Sequence, residues 1–236
     1  MSGTAAFLAI GLTSGAVAPL ISPAPVFAQT INYSDVPDNY WAKDFITELT
    51  KMGIIAGFPD GTFDPDGPVT RAQFAAMLER ANANYWDKPD IRESVRFTDV
   101  STRYWAAFAI DSAYSTGFMR GYPGGIFRPQ ENIPREQVFV SLANGLGYIS
   151  TQEPSSVMSI YDDASSISDY AIAPMAAATV NQLVMNYPNT ARLNPTGNAT
   201  RAQVAAAIYQ ALVRDGKAPA INSPYIVTPK PAATSP

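Results

Sequence analysis

The sequence predicts an all-α fold built from three helix-loop-helix repeats. The chain repeats itself, apolar residues recur at helical steps, and a start signal precedes the second helix of each repeat. Two helices alone bury little of their apolar face, so neighbouring repeats must share a core. The chain has 236 residues, 47% of them hydrophobic, which is enough for a sizeable core.

The internal repeat is clearest between residues 33–78 and 97–142, which align without a gap. Matching residues lie 64 positions apart, as Arg71 and Arg135 do. A weaker third copy begins at Tyr161 and needs two single-residue insertions, which loops tolerate. The alignment places the repeats at residues 33–82, 97–148 and 161–214.

The first helix of the first repeat is predicted from its apolar face, on which side chains recur at steps of three and four residues. These side chains are Trp41, Phe45, Leu49 and Met52. Asp38 or Asn39 is suited to cap the helix at its start. Gly53 then ends the helix.

The loop at residues 57–67 is dense in turn-forming residues, so we expect an ordered loop with Phe58 and Phe63 as its hydrophobic pins. Its carboxylates, on Asp60, Asp64 and Asp66, do not keep the alternation of a calcium loop. The second repeat replaces them with Gly124, Arg128 and Gln130. We therefore predict no metal site.

The second helix of each repeat has its own start signal. Residues 70–73, Thr-Arg-Ala-Gln, form a capping box in which the Thr and Gln side chains satisfy free backbone amides. The third repeat has the same residues at 200–203, whereas the second repeat has Pro134 in place of the Thr. Proline suits the first turn of a helix but removes the side-chain cap.

The two ends of the chain differ from the repeats in composition. Residues 1–28 carry no charge and contain an apolar stretch from Phe7 to Val17, which predicts a signal-peptide-like segment cleaved after Ala28. A membrane-spanning anchor is the less favoured alternative, because three prolines follow the apolar stretch. Residues 218–236 contain five prolines and no periodic apolar face, so we expect a flexible tail.

The composition excludes several classes of function. Cysteine and histidine are absent, so thiolate sites, Ser-His-Asp relays and His-rich metal sites cannot form. A net charge of −4 with 15% charged residues gives no basic face for nucleic acid. No carboxylate pair stands out as acid and base, so we predict that the protein is not an enzyme, with a carboxylate-dependent glycan hydrolase as the alternative.

Taken together, the motifs resemble those of S-layer homology domains. The matching elements are Tyr33-Ser34-Asp35-Val36, Trp41, the loop at 57–65 and the helix start at 70–73. Gln73, Gln137 and Gln203 stand where that family usually has an acidic residue. The resemblance covers residues 33 to about 214 and implies a pseudo-threefold arrangement of the repeats around a central helical bundle.

The resemblance also implies a function. Members of that family hold secondary cell-wall or peptidoglycan-linked polysaccharide noncovalently, often through acidic sugars that carry pyruvate ketals. We therefore expect an exported, monomeric anchor of the cell envelope that has no cofactor, no nucleic-acid partner and no membrane span in the mature chain. The alternative is a structural or protein-interaction scaffold of the envelope without glycan binding.

The first candidate binding residues are Arg71, Arg135 and Arg201, which lie at the amino ends of helices, where an anion is favoured. A guanidinium there can clamp a sugar carboxylate bidentately, or it can hold the loop through a neighbouring Asp. A second set, at the start of each repeat, consists of Asp35, Asp99 and Asp163. These carboxylates can bond sugar hydroxyls, although bonds to the nearby backbone are the favoured interpretation.

The aromatic candidates are Trp41, Trp105 and Tyr170, which are suited either to stack on sugar rings or to anchor the core. The third repeat departs from the others, with Tyr170 in the Trp position and with Gln182 and Asn186 where the others have glycine. A purely structural role for the groove of the third repeat is therefore an alternative to glycan binding.

Overall fold

The computed structural model describes residues 32–229, whose regular structure is helical. The α-helices of this part of the chain are α1 (Lys43–Lys51), α2 (Arg71–Ala81), α3 (Ala107–Ser115), α4 (Arg135–Leu146), α5 (Pro154–Met158), α6 (Ile172–Val180) and α7 (Arg201–Arg214). Strand-like pairing among the same residues is limited to isolated bridges. The predicted all-α class is confirmed, while the predicted signal peptide at residues 1–28 lies outside the described residues.

The first helix of each repeat packs against the second helix of the repeat before it. α3 packs against α2, and α6 packs against α4. α1 of the first repeat packs against α7 of the third, where the buried rings of Phe45 and Tyr209 meet edge to face at 5.6 Å. The helix contacts therefore return from the last repeat to the first, and the repeats share one core.

Backbone hydrogen bonds join the same neighbours, from the start of each second helix to the loop of the next repeat. They run from Arg71 N to Glu131 O (2.8 Å), from Arg135 N to Gly197 O (2.9 Å) and from Arg201 N to Gly67 O (2.9 Å). Each bond satisfies an amide that a helix start would otherwise leave free. The helix starts and the loops consequently lie together, each pair formed by two different repeats.

The predicted caps of the second helices are confirmed. Thr70 Oγ1 accepts from the Gln73 amide at 3.2 Å, and Gln73 Oε1 accepts from the Thr70 amide at 2.9 Å. Thr200 and Gln203 form the same reciprocal pair at the start of α7. α4, which begins after Pro134, has no side-chain cap.

We expect the substitution Thr70→Ala to lower the free energy of unfolding by about 1 kcal/mol, because it removes the side-chain acceptor of the capping box. Urea denaturation followed by circular dichroism measures this loss. Thr102→Ala, at an exposed position, is the control and should change stability little. Equal losses in the two variants would contradict the assigned cap.

Two local predictions for the first repeat are wrong. The residue that precedes α1 is Ala42, which makes no side-chain cap, and Asp38 pairs instead with Lys43. The helix begins too far beyond Asp38 for its carboxylate to reach the first free amides. Phe63 is a buried pin of the loop, but Phe58 is exposed and lies 5.0 Å from the guanidinium of Arg201.

Residues 218–229 do not form the free tail that the composition predicts for 218–236. The hydroxyl of Tyr209 donates to Pro219 O at 2.9 Å, and the amide of buried Val227 donates to Val184 O at 2.9 Å. The apolar residues of this segment are too sparse to show a period, yet they pack on the third repeat. Residues 230–236 lie outside the described part of the chain.

Candidate functional site

The three arginines at the helix starts are buried, with 4%, 3% and 8% of the surface exposed for Arg71, Arg135 and Arg201. Each Nε donates to a backbone carbonyl in the loop of the following repeat, the third repeat being followed by the first. The acceptors are Phe127 O (2.8 Å), Leu193 O (2.8 Å) and Phe63 O (2.7 Å), respectively. Each arginine therefore pins a neighbouring loop.

A second donor from each guanidinium strengthens this attachment. The Nη2 atoms of Arg71, Arg135 and Arg201 donate to Arg120 O (2.8 Å), Met185 O (3.3 Å) and Ala56 O (2.9 Å). The acceptors are backbone carbonyls, and not the neighbouring aspartates of the alternative interpretation. Because these bonds occupy the guanidinium groups, a bidentate clamp on a sugar carboxylate is not preformed. Burial lowers the pKa of all three arginines, to about 10 for Arg135, which leaves Arg135 cationic at neutral pH.

The aspartates hold the same loops from the other side. Asp35 accepts from the amides of Phe63 at 2.8 Å and Asp64 at 2.7 Å. Asp99 and Asp163 each accept in the same way from two consecutive amides in the loop of their own repeat. This geometry agrees with the favoured interpretation, in which the carboxylates bond to the backbone.

Open crevices lie beside two of these arginines. The Arg71 crevice has a volume of about 460 Å³, and its walls include Tyr122, Gln137, Asn144 and Tyr170. The Arg135 crevice has a volume of about 410 Å³, and its walls include Asn186, Tyr187, Asn189, Arg192 and Gln203. Both crevices combine a buried cation with amide and aromatic side chains from more than one repeat.

Gln137 lies at the floor of the Arg71 crevice and is free to contact Arg71, because α4 has no side-chain cap. Pro134 has neither a hydroxyl nor an N–H, so Gln137 cannot close a capping box as Gln73 does. Its Oε1 atom instead accepts from Arg71 Nη1 at 2.8 Å. The ring of Tyr122 covers the same guanidinium at 4.7 Å.

One wall of the Arg71 crevice is Tyr170, a residue that is 55% exposed. Its hydroxyl donates to Oε1 of the buried Glu136 at 2.8 Å, and Ser168 donates to the same carboxylate. Burial and this hydrogen bond raise the pKa of Tyr170 to about 12, so the hydroxyl stays protonated. Sequence reasoning did not find Glu136, because the other repeats have Ala72 and Ala202 there.

In the Arg135 crevice, the exposed aromatic side chain is Tyr187. Its ring stacks on the half-buried Trp41 of the first repeat, with centroids 5.5 Å apart and planes at 7°. Tyr187 is 50% exposed, so it, and not Trp41, presents the larger open surface beside the crevice. A signal for it existed in the alignment, because Phe58, Tyr122 and Tyr187 occupy one position of the repeat.

Comparison with known proteins gives the family. The model of the S-layer homology domain matches residues 32–75, 96–139 and 160–205, which together make up more than half of the chain. The chain belongs to the S-layer homology domain family. The three matches coincide with the three repeats found by internal alignment, so the suspected resemblance is confirmed.

Several relatives contain similar S-layer homology repeats. An amylopullulanase of Thermoanaerobacterium thermosulfurigenes is 35% identical over 185 residues, which cover 78% of this chain and 10% of that protein. A cellulosome-anchoring protein of Acetivibrio thermocellus is 33% identical over 114 residues, or 46% of this chain and 24% of that protein. A surface layer protein of Brevibacillus choshinensis is 26% identical over 135 residues, or 57% of this chain and 12% of that protein. The chain thus spans a quarter or less of each.

The third S-layer homology repeat departs from the other two where its loop meets Arg135. Asn186 replaces the glycine found at positions 57 and 121, and its Oδ1 accepts from Arg135 Nη2 at 2.7 Å. Its Nδ2 donates to Thr190 O at 2.8 Å. The divergent repeat therefore supplies a wall of the Arg135 crevice and an extra acceptor for the arginine.

The last predicted aromatic residue, Trp105, is 63% exposed and lies 5.8 Å from Tyr104. It does not line the Arg71 or Arg135 crevice. The loop carboxylates are also engaged elsewhere, since Asp60 accepts from Thr62 and Asp66 accepts from the hydroxyl of Tyr40. Among residues 32–229 no acidic cluster is placed to hold a metal ion, and no helix has the length and apolar character needed to cross a membrane.

Proposed function

We propose that this chain is a non-enzymatic anchor of the cell envelope, which binds an acidic wall polysaccharide in the crevices between its S-layer homology repeats. The observation that supports the proposal is the pairing of a buried guanidinium with an open crevice, walled by aromatic and amide side chains, at two repeat junctions. Two relatives, a cellulosome-anchoring protein and a surface layer protein, agree with a role at the cell surface.

The chemistry of the crevices suits an anionic sugar. Arg71 and Arg135 supply positive charge at helix amino ends, although most of their hydrogen bonds remain inside the fold. Amide side chains and the exposed Arg192 then bond the carboxylate and hydroxyl groups, and Tyr187 stacks on the apolar face of a ring. A pyruvate ketal is a carboxylate on a sugar and fits the same description.

We further propose that the monomeric domain has pseudo-threefold symmetry around a central helical bundle. The helix contacts and the hydrogen bonds that return from the third repeat to the first support this arrangement. A rigid module with more than one crevice can hold a polymer firmly even when each contact is weak, because the second contact forms at high effective concentration. Export would use residues 1–28, and the mature chain would act without a cofactor.

The proposal is tested by sedimentation with bacterial wall sacculi before and after the acidic polymer is stripped. We expect the chain to pellet with intact sacculi only. The double variant Tyr122→Ala/Tyr187→Ala, which removes an aromatic ring from each crevice, should weaken pelleting by about tenfold or more.

Phe108→Ala is the matched control, because Phe108 is 74% exposed and lines neither crevice. It should pellet like the unchanged protein. Equal pelleting with intact and stripped sacculi would refute recognition of the acidic polymer. Release of reducing ends from the wall material would refute the non-enzymatic part of the proposal.

A second candidate function is an envelope scaffold that binds no glycan. The burial of the arginines favours it, since a guanidinium that pins a loop needs no ligand. In that case the Tyr122→Ala/Tyr187→Ala variant would remain in the envelope as firmly as the unchanged chain. Measurement of the bound fraction in isolated envelopes separates the two functions.

A further inference from the structure

The chain folds back on the third repeat after α7. Tyr225 O accepts from the amide of Asn186 at 3.0 Å, and the amide of Val227 donates to Val184 O at 2.9 Å. Met185 and Ile226 form an antiparallel bridge between these two bonds. Residues 223–227, which we call the strap, are therefore fixed along the backbone that leads into the wall of the Arg135 crevice.

The strap places one aromatic ring behind the stacked pair of this crevice. The ring of Tyr225 meets that of Tyr187 edge to face, with centroids 4.9 Å apart and planes at 83°. It also meets Trp41 edge to face at 6.3 Å and 85°. Aromatic pairs of this geometry favour one mutual orientation. Tyr225 thus contacts both members of a pair formed by the first and third repeats.

The first repeat has a different contact at the equivalent place. There the amide of Gly57 donates to the hydroxyl of Tyr33 at 2.9 Å. An added Cβ at Gly57 would lie 2.2 Å from Tyr33 Cε1, and one at Gly121 would lie 2.2 Å from Phe97 Cε1. In the third repeat the side chain of Asn186 occupies this position. The backbone amide of Asn186 donates to Tyr225 O of the strap instead. The Arg71 crevice contains the loop of the second repeat, in which Gly121 lies against Phe97, so the strap contact distinguishes the Arg135 crevice from it.

We propose that Tyr225 is a positioning residue of the Arg135 crevice, which holds the ring of Tyr187 against Trp41 so that its open surface is ready to stack on a sugar. This inference rests on the proposed glycan binding. It adds that the affinity of one crevice depends on a segment outside the three repeats. Without the ring of Tyr225, Tyr187 loses an edge contact and must be ordered when the ligand binds.

The inference is tested with Tyr225→Ala and Tyr225→Phe. Both variants keep the backbone bonds of the strap, and Phe also keeps the ring. The probe is wall polysaccharide released from bacterial sacculi by enzymatic digestion of the peptidoglycan, which leaves acid-labile ketals intact, with affinity measured by calorimetry. We expect Tyr225→Ala to weaken binding by about tenfold and Tyr225→Phe to bind like the unchanged chain, because the contact depends on the ring.

A cycle with Tyr187→Ala distinguishes positioning from a general loss of structure. In the Tyr187→Ala background, the further change Tyr225→Ala should have no effect on affinity. A second readout needs no glycan: with Trp86 and Trp105 replaced by Phe, the fluorescence of Trp41 should change in Tyr225→Ala and not in Tyr225→Phe.

The outcomes that overturn the inference are separate from those that overturn the proposed function. If the unchanged chain binds the polysaccharide and Tyr225→Ala binds it equally well, the inference is wrong and the proposed function stands. An equal loss of affinity on changing Tyr225 with and without Tyr187 would also overturn it. If the unchanged chain binds no polysaccharide, the proposed function is wrong and the role of Tyr225 in affinity is wrong with it.

Discussion

Replacement of Arg135 with methionine should lower the free energy of unfolding by about 3–5 kcal/mol. The side chain is 3% exposed and donates to Leu193 O, Met185 O and Asn186 Oδ1. Methionine fills part of the volume but leaves these buried acceptors without a donor. Urea denaturation of the purified domain, with the slope of the transition compared between variants, measures the loss.

The matched control is Arg192→Met in the same crevice. Arg192 is 69% exposed, and its nearest carboxylate oxygen, on Asp163, is 3.8 Å away. Exposed pairs of this kind contribute about 1 kcal/mol or less, so the control should be close to the unchanged protein. A loss below about 1 kcal/mol in Arg135→Met would show that the buried arginine does not hold the loop.

Gly57→Ala should be the other strongly destabilising substitution, with an expected loss of about 2–4 kcal/mol. The new Cβ would lie 2.2 Å from Tyr33 Cε1 and 2.4 Å from Thr62 O. The second contact is with the backbone, which cannot rotate away as a flexible side chain can. Thermal and urea unfolding of the variant measure the effect.

Gly61→Ala separates this clash from backbone strain. Gly61 has φ at +84°, but an added Cβ there meets no atom within 4 Å. Alanine in that conformation costs about 1–2 kcal/mol. Gly57→Ala should therefore be the more destabilising of the two, and the reverse order would contradict the close approach of Tyr33 to the loop.

The arginine substitution also bears on function. An arginine to alanine change at position 71, 135 or 201 would remove a loop attachment together with a positive charge. Loss of glycan binding in such a variant would not identify a ligand contact. The exposed Tyr187 is the better probe of the Arg135 crevice, because its ring lines the crevice at the surface of the fold.

Local patterns were sufficient for the all-α class, the repeat and the caps of α2 and α7. A capping box joins residues three positions apart, so Thr70 and Gln73 are visible in the sequence as a unit. The repeat was equally visible, because each copy keeps its turn and helix signals in order. Phe58, Tyr122 and Tyr187 share one position in the same alignment, but the loop pattern predicts a hydrophobic pin there rather than an exposed ring.

Contacts between distant segments required the folded chain. Arg71 meets Phe127 across 56 positions, and Arg201 meets Phe63 across 138. No short pattern records such a contact, so the burial of the guanidinium groups and their carbonyl acceptors could not be predicted. The strap followed the same rule, because Tyr225 has no periodic neighbours and its contacts with Asn186 and with the rings of Tyr187 and Trp41 join distant parts of the chain. The sequence predicted contacts between side chains a few residues apart. The crevices could not be predicted, because they depend on how one repeat packs against the next.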